Sequence, residues 1–433
     1  MKVLDVTEFY SERGGGVRSH LALKGHVLCQ LGHEHVVVAP GSHDDEGIGR
    51  EGDSEERRLA RDRGSARVIR VRGPASPYDP SYHLLLNTSK IRDVVARERP
   101  DVLEIHSPYM AAVGALRAAP STYGVRTFQW HSDFIDTYGG VLEDKAPFLP
   151  SPLVRTVTRP LWSLVRSIAR RCDATLVASA WQVGKLTAHG VPNVVHRPFG
   201  IERDVFRTDA RSPEGRRELL ALAGRDVHDE TTAIVVGVGR FAIEKRWDLV
   251  IDAFLQVRAR GRDAILVLFG DGPERERMKA RARGERDGGA SSHPGASGAF
   301  AADVVFPGFS KDRAGLARSL ASADVLLPGC PFETFGLSIA EAMSCGLPAV
   351  VPDDGGAAEM HDPASGERYA AGDTDACAEA LERLLDRVAR DGDAMRAAAA
   401  RAAARLPSVR QQFDEQIALY TELVARRGAA RAT

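Results

Sequence analysis

Residues 324–352 contain the pattern that most constrains the fold: two short apolar strands joined by a corner and a helix. The segments 324–328 and 348–352 have the length and composition of buried strands. Strands joined through a helix pair in parallel, so the corner lies at the carboxyl edge of a sheet, where α/β folds bind ligands. Glu333 and Glu341 stand eight residues apart, at the corner and in the helix. Carboxylates suit sugar or ribose hydroxyls, and amides at a helix start suit anionic oxygens.

The same alternation of strands and helices extends through most of the 433 residues. It predicts parallel sheets covered by helices on both faces, and a chain of this length predicts two domains. The segment 197–206, followed by a charged connection at 211–230, marks the break between them. The predicted strands are 3–8, 35–40, 67–72, 101–106, 125–130, 174–179, 233–239, 264–270, 304–306, 324–328, 348–352 and 367–370.

The paired glutamates and the turn between them resemble the Glu-x7-Glu motif of the family-4 retaining glycosyltransferases, and the flanking residues of 331–348 match almost position by position. This resemblance implies the GT-B architecture, an α/β fold in which two Rossmann-like domains face each other across a cleft. It implies an acceptor-side domain at 1–200 and a nucleotide-sugar donor domain at 201–407. A C-terminal helix within 408–433 would return to the N-terminal domain.

The resemblance also implies roles for the residues of this corner. Glu333 would hold hydroxyls of the donor sugar, and Glu341 would hold the ribose. Backbone amides of Phe335, Gly336 and Leu337 would help to fix the sugar and the phosphate. The alternative is that both glutamates are solvated side chains on a helix face beside a turn.

A second segment, 235–254, reads as a strand that ends in glycines, a loop and a helix. Arg240 and Lys245 lie on the loop, placed to meet a diphosphate through charge-assisted hydrogen bonds. The chain contains only eight lysines, so a lysine within a motif is informative. The family usually has Lys-Gly where this chain has Lys245-Arg246, as some mannosyltransferase-like members do. The resemblance assigns Gly239, Arg240 and Lys245 to the donor site, and a solvated loop pair is the alternative.

The same glycines also fit the dinucleotide fingerprint of a dehydrogenase, through Gly237, Gly239 and Ala242. That fingerprint requires an acidic residue about 20 positions further on, at the end of the next strand. Here the next strand ends at Asp271, more than 30 residues later, and Lys245 stands where the dinucleotide helix would begin. The NAD-binding alternative is therefore disfavoured.

Three glycines, Gly14, Gly15 and Gly16, follow the first strand and open a helix, where a ligand phosphate can approach closely. They resemble the glycine loop with which the acceptor domain reaches the donor diphosphate, although turns also need glycine. His131 ends another strand and matches the family histidine that contacts the donor sugar beside the anomeric centre. A histidine satisfied by neighbouring backbone is the alternative. His106 is similarly placed but less diagnostic.

Gly308 and Phe309 lie in a strand-end loop that corresponds to the family's nucleobase site. No Asp-x-Asp motif occurs at a strand end. We therefore expect arginine, lysine and helix dipoles to meet the diphosphate charge. No metal ion is expected, and no cofactor besides the nucleotide sugar as co-substrate. The segment His33-Glu34-His35 contains metal-ligand residue types, but we interpret it as a loop before a strand.

Composition limits the partners and the compartment. The net charge of −1 gives no basic field for nucleic acid. Five cysteines without a Cys-x-x-Cys pair argue against a disulfide framework or a zinc site and fit a reducing cytoplasm. No run of about 18 apolar residues occurs. We expect a cytoplasmic protein, with weak attachment to the inner membrane face through the basic amphipathic segment 153–171 as an open alternative. Residues 42–65 and 283–298 should form loops.

These observations predict a retaining, metal-independent glycosyltransferase that moves a sugar from a UDP- or GDP-sugar to a hydroxyl of a glycan, a lipid or a small molecule. A nucleotide-sugar epimerase or hydrolase of similar fold is the alternative enzyme. A sugar-nucleotide-binding protein without turnover is the alternative from another class, and the presence of Glu333, Lys245 and His131 argues against it.

Overall fold

The computed structural model describes residues 1–11, 15–45, 66–137, 139, 151–285 and 300–432, with the backbone alone at 151–157, 431 and 432. The chain divides into two compact units, Met1–Pro198 with Val409–Thr433, and Phe199–Ser408. Most of the two predicted loops, at 46–65 and 286–298, lies outside the described residues.

The first unit is built on a sheet of seven parallel strands in the order β3-β2-β1-β4-β5-β6-β7. The strands are β1 Lys2–Val6, β2 Glu34–Gly41, β3 Arg67–Arg72, β4 Val102–Ile105, β5 Val125–Gln129, β6 Ala174–Val177 and β7 Val194–His196. Its helices up to the domain break are α1 Gly16–Gln30, α2 Thr88–Glu98, α3 Met110–Leu116, α4 Ser151–Ala169 and α5 Ala180–Ala188. The order reverses direction beside β1, which places a topological switch point between β1 and β4.

The second unit is built on six parallel strands in the order β10-β9-β8-β11-β12-β13. The strands are β8 Ala233–Val238, β9 Ala264–Phe269, β10 Val304–Gly308, β11 Val325–Leu326, β12 Ala349–Pro352 and β13 Gly366–Tyr369. Its helices are α6 Pro213–Leu222, α7 Trp247–Ala259, α8 Arg275–Ala282, α9 Arg313–Ser322, α10 Leu337–Ser344, α11 Gly355–Glu359 and α12 Thr374–Ala403. The switch point of this sheet lies between β8 and β11.

The strands are near-continuous apolar runs because helices cover both faces of each sheet. All six residues of β9 are buried, and so are the four of β12. The twelve strands predicted from sequence are present, with ends displaced by no more than two residues. The strand β7 was not predicted, since it has three residues and none of them is fully buried.

The last helix, α13 at Val409–Ala432, packs on the first unit. Leu419 and Tyr420 join a cluster of buried residues that includes Val3 and Leu28. The predicted return of the terminal helix to the N-terminal domain is therefore observed. Among the described helices, none is long and apolar enough to cross a membrane.

The helix α4 contains the predicted basic amphipathic segment. Trp162, Val165 and Ile168 are buried in the core of the first unit, whereas Leu164 is 42% exposed. The apolar stripe over this part of the helix is thus used mainly in packing.

Candidate active site

Backbone hydrogen bonds tie together the carboxyl ends of three neighbouring strands in the second unit. The amide of Gly239, after β8, donates to the carbonyl of Phe269 at 3.0 Å, and the amide of Gly270 donates to the carbonyl of Gly308 at 2.9 Å. A Cβ at Gly270 would lie 1.9 Å from the Gly239 carbonyl oxygen. Glycine is required there because no side chain fits between the two backbones.

The loop that follows β8 is held by a tryptophan. The indole Nε1 of Trp247 donates to the Arg240 carbonyl at 2.9 Å, and a Cβ at Gly237 would lie 2.7 Å from the Trp247 ring. This packing explains Gly237 without a dinucleotide. Arg240 itself donates to Glu244 Oε1 at 2.9 Å, which holds its guanidinium near the strand end.

Lys245 forms an ion pair and hydrogen bond with Glu333, the first glutamate of the motif. The two residues follow β8 and β11, which are neighbours at the switch point of the sheet. Their side chains are 26% and 17% exposed, so both remain accessible from solvent. Although burial opposes the charged form, Glu333 raises the pKa of Lys245 above its usual value. The lysine is therefore a cation at every physiological pH.

The corner that carries Glu333 is fixed by the start of α11. The amide of Gly356 donates to the Glu333 carbonyl at 2.6 Å. A Cβ at Gly355 would lie 2.5 Å from the Pro331 carbonyl oxygen, and one at Gly356 would lie 2.8 Å from Phe335 Cα. The two glycines let the helix start press against the corner, so the Glu333 backbone has a defined position.

The residues between the two glutamates can offer a ligand their backbone more readily than their side chains. Phe335 is 3% exposed and packs edge-to-face on Phe199, with ring centroids 5.6 Å apart. Gly336 has φ +88°, a left-handed conformation that glycine adopts without strain, and Leu337 begins α10. The amides of this turn lie at a helix N-terminus, as predicted for residues that bind anionic oxygen atoms.

Glu341, the second glutamate, lies inside α10 and is 6% exposed. Its Oε1 accepts a hydrogen bond from Arg313 Nη2 at 2.8 Å, and Arg313 also forms an ion pair with Glu202. Burial raises the pKa of Glu341, while Arg313 opposes that shift. Arg313 was not predicted from sequence, because a single arginine on a helix carries no motif. It orients the carboxylate assigned to the ribose.

The residues assigned to the nucleobase differ in exposure. Gly308 has φ +95° and ends β10, and Phe309 after it is 51% exposed. An exposed aromatic ring beside a left-handed glycine provides a flat surface next to accessible backbone groups. The ring is available for stacking.

In the first unit, the glycine loop is described only in part, since Gly14 lies outside the described residues. Gly15 has φ +141°, and a Cβ there would lie 3.2 Å from Tyr82 Oη. Gly16 is the first residue of α1, and a Cβ there would meet nothing within 4 Å. Glycine at 15 is explained by backbone conformation, whereas glycine at 16 is not.

His131 lies just beyond β5 and is partly exposed. Its Nε2 is 2.6 Å from Nδ1 of His106, which follows β4, and the two rings stack with centroids 4.9 Å apart. Burial holds the pKa of His131 well below its usual range. The side chain is therefore a neutral imidazole.

The interpretation of His33-Glu34-His35 as a loop is wrong for two of the three residues. Glu34 begins β2, and His35 is buried within it with its Nε2 2.7 Å from Asp5 Oδ2. His33 contacts the N-terminal amine of Met1 at 3.0 Å. The burial of His35 was not predicted, because a buried histidine bound to a carboxylate has no local sequence signature.

Comparisons with known proteins agree with this geometry. Residues 14–204 match the family model described as Glycosyltransferase Family 4, and residues 232–387 match the model described as Glycosyl transferases group 1. Sucrose-phosphate synthase of Thermosynechococcus elongatus shares the fold with a TM-score of 0.72 at 17% identity, over 98% of this chain and 99% of that one. HepE of Anabaena, in complex with UDP and glucose, shares it with a TM-score of 0.65 at 17% identity, over 96% and 99%. The chain belongs to the GT-B glycosyltransferases.

Sequence relatives narrow the class. The GDP-mannose-dependent alpha-(1-6)-phosphatidylinositol dimannoside mannosyltransferase of Mycobacterium tuberculosis is 28% identical over 354 residues, which are 81% of this chain and 79% of the relative. A GDP-mannose-dependent alpha-mannosyltransferase of the same species is 28% identical over 365 residues, covering 84% of this chain and 82% of the relative. The protein is a mannosyltransferase-like glycosyltransferase.

Proposed function

We propose that this glycosyltransferase transfers mannose from GDP-mannose to a hydroxyl of a mannosylated phosphoinositide lipid, with retention of the anomeric configuration. The donor follows the names of both mycobacterial relatives, and the acceptor class follows the name of the phosphatidylinositol dimannoside mannosyltransferase alone. The observation that carries the proposal is the ion pair between Lys245 and Glu333 at the switch point of the second sheet. In this proposal the lysine of the pair binds phosphate, and the carboxylate beside it binds sugar hydroxyls.

In this proposal the incoming donor breaks the ion pair between Lys245 and Glu333 and gives each side chain a new partner. The diphosphate takes Lys245, and Glu333 turns to the hydroxyls of the mannose. Arg240, which shares the loop, adds a second cation on the diphosphate, and the amides of Gly336 and Leu337 add hydrogen bonds. Preorganised positive charge at the leaving group stabilises the negative charge that develops as GDP departs.

Binding of the nucleoside uses the other groups at the strand ends. Glu341, oriented by Arg313, accepts hydrogen bonds from the ribose hydroxyls. Gly308 and Phe309 receive the guanine through backbone groups and ring stacking, in keeping with the exposure of the Phe309 ring. Gly239 keeps the first strand end open to the phosphates.

The first unit contributes His131 and the glycine loop. We assign His131 to a hydroxyl of the donor sugar beside the anomeric carbon, and Gly15 and Gly16 to the diphosphate. A phosphate oxygen of the leaving group takes the acceptor proton on the same face of the sugar, so that the new bond forms where the old one breaks. No metal ion takes part, because the cations and helix N-termini meet the diphosphate charge.

We also propose that the enzyme works in the cytoplasm at the inner membrane face, where a lipid acceptor would be available. Arg170 and Arg171 at the end of α4 are exposed and could meet anionic headgroups. Sedimentation with phosphatidylinositol vesicles tests this: Arg170→Ala with Arg171→Ala should weaken binding several-fold at low salt. A matched pair of exposed arginines in the second unit, Arg383→Ala with Arg390→Ala, should leave it unchanged. Equal binding by both double variants would contradict membrane contact through this segment.

A thermal unfolding screen tests the donor. GDP-mannose and GDP should stabilise the protein more than UDP-glucose and UDP, since a ligand at 100 times its Kd adds about 2.7 kcal/mol to the free energy of unfolding. Stabilisation by the uridine ligands alone would leave the enzyme class intact and overturn the choice of GDP-mannose.

A further inference from the structure

The core of the first unit contains a buried charge cluster that no step above uses. The Lys24 ammonium donates to Asp5 Oδ1 and to Glu104 Oε1, each at 2.8 Å, and all three side chains are fully buried. Asp5, Glu104 and His106 also form a group with metal-ligand atoms within 4.8 Å of one another. Lys24 already supplies the cation between the two carboxylates, so the group is a charge cluster rather than a metal site. Burying three charged groups costs free energy of desolvation, which a purely structural role for the cluster would have to offset.

The C-terminal helix completes this cluster. Tyr420 Oη donates to Glu104 Oε2 at 2.7 Å, and Gln416 Nε2 donates to Tyr420 Oη at 2.5 Å. Thr127 Oγ1 donates to the same Glu104 oxygen at 2.8 Å. Burial and the adjacent Glu104 raise the pKa of Tyr420 well above its usual value, so its hydroxyl keeps the proton that it donates.

His106 connects the cluster to His131. Its Nε2 lies 3.4 Å from Asp5 Oδ1 and 3.3 Å from Glu104 Oε1, while its Nδ1 lies 2.6 Å from His131 Nε2. Neither carboxylate contact has ideal hydrogen-bond geometry, and among the described residues Nε2 has no closer partner. A lone pair on Nε2 would face two carboxylate oxygens and be repelled, so Nε2 carries the proton.

This assignment fixes the direction of the next hydrogen bond. With its one proton on Nε2, the singly protonated His106 ring has only a lone pair on Nδ1 and accepts there. The neutral His131 then donates from Nε2 and keeps a lone pair on Nδ1. We infer that His106 is a positioning residue that holds His131 as the Nε2–H tautomer, anchored by the buried cluster of Asp5, Lys24 and Glu104.

The other titratable groups around the pair are consistent with this arrangement. His20 from α1 packs edge-on to His131, with centroids 5.3 Å apart, and burial holds the pKa of His20 well below its usual range. His35 from β2 binds the other oxygen of Asp5, and burial lowers its pKa despite that carboxylate. Neither supplies a competing positive charge near His131.

The chemical consequence concerns the donor sugar. A His131 whose Nδ1 has a lone pair accepts a hydrogen bond from a sugar hydroxyl, whereas the opposite tautomer would donate one. The inference rests on the proposed role of His131 in the donor site, and it specifies which kind of hydrogen bond that residue makes.

Two nearly isosteric substitutions test the inference. In His106→Asn, the amide oxygen can still accept from His131, whereas His106→Leu removes the acceptor and keeps a similar volume. Nitrogen-15 spectra of labelled histidines report the tautomer of His131 without any donor, and the His131→Gln spectrum assigns its signals. We expect the Nε2–H tautomer in the wild type and in His106→Asn, and a shift toward the other tautomer in His106→Leu.

Steady-state kinetics with GDP-mannose provide a second test of the inference, independent of the spectra. His106→Leu should lower kcat by about tenfold, the effect of losing one orienting hydrogen bond, and His106→Asn should recover most of it. His35→Asn is the matched control, because it removes a buried histidine from the same Asp5 carboxylate and leaves His106 in place. It should keep the wild-type tautomer and kcat.

The outcomes separate the inference from the proposed function. An unchanged His131 tautomer in His106→Leu would overturn the inference, and so would an equal loss of kcat in His106→Asn, His106→Leu and His35→Asn. A loss of activity in His131→Ala with full activity in His106→Leu would overturn the inference alone. Full activity in His131→Ala would remove His131 from the donor site, and the tautomer spectra would still decide whether His106 orients it.

Discussion

Lys245 and Glu333, which are 88 positions apart in the chain, form an ion pair at the point where two neighbouring parallel strands end. One side chain suits a phosphate and the other suits sugar hydroxyls, and within the protein the two charges neutralise each other. A nucleotide sugar can replace this ion pair with two new interactions, one between Lys245 and a phosphate and one between Glu333 and sugar hydroxyls. Neither charge is then left without a partner.

The first prediction concerns Lys245. Lys245→Ala should weaken GDP binding by about tenfold or more, since a charge-assisted contact to phosphate contributes roughly 1.5–3 kcal/mol. Because both side chains of the pair are partly exposed to solvent, folded stability should change little. Titration calorimetry measures the affinity. Lys279→Ala is the control, because Lys279 pairs with Glu276 on the surface of α8, away from the strand ends that carry Lys245 and Glu333. Equal affinities in all three proteins would remove Lys245 from the phosphate site.

Substitution of the two glutamates should affect different kinetic constants. Glu341→Gln should mainly raise the donor KM, because ribose contacts are made equally in the ground and transition states. Glu333→Gln should mainly lower kcat, by roughly 10²-fold, because orientation of the sugar matters most as charge develops at the anomeric carbon. Steady-state kinetics on both variants decides this. Small, equal effects would return the pair to a structural role.

Neither packing nor backbone conformation explains the glycine at position 16, so this residue can be used to test the function of the glycine loop. Gly16→Ala should leave the free energy of unfolding unchanged or raise it by about 0.5–1 kcal/mol, because the added methyl group meets open space at a helix start. The donor KM should rise if a phosphate approaches the backbone there. Gly184→Ala in α5, also in open space, is the control and should leave KM unchanged. An unaltered KM in Gly16→Ala would show that this backbone does not approach the donor.

Metal removal tests the charge balance of the site. We expect turnover of GDP-mannose to survive EDTA, since Arg240, Lys245 and helix N-termini supply the positive charge. The measurement compares initial rates before and after chelation. Complete loss that is restored by added Mg²⁺ or Mn²⁺ would mean that a ligand set has been overlooked.

The architecture could be predicted from the sequence because helices cover both faces of each sheet. Their strands are apolar runs such as Ala264–Phe269, which local composition reveals. The two glutamates were singled out for a different reason, since they lie within one contiguous motif. The strand Val194–His196 escaped prediction because it has only three residues and none of them is fully buried.

The contacts that sequence could not predict join residues far apart in the chain. Arg313 meets Glu341 across 28 positions, and Tyr420 meets Glu104 across 316. Lys24 belongs to no sequence motif, yet it is buried between two carboxylates. Tertiary placement decides the role of such side chains, and no local spacing encodes it.

The most direct test is to identify and quantify the products formed from GDP-mannose and a phosphatidylinositol dimannoside acceptor. We expect GDP and a new mannoside to appear in equal amounts, proton NMR to show the α-anomer, and Glu333→Gln to slow the formation of both together. Release of mannose at the same rate without an acceptor, or a β-linked product, would contradict the proposed function.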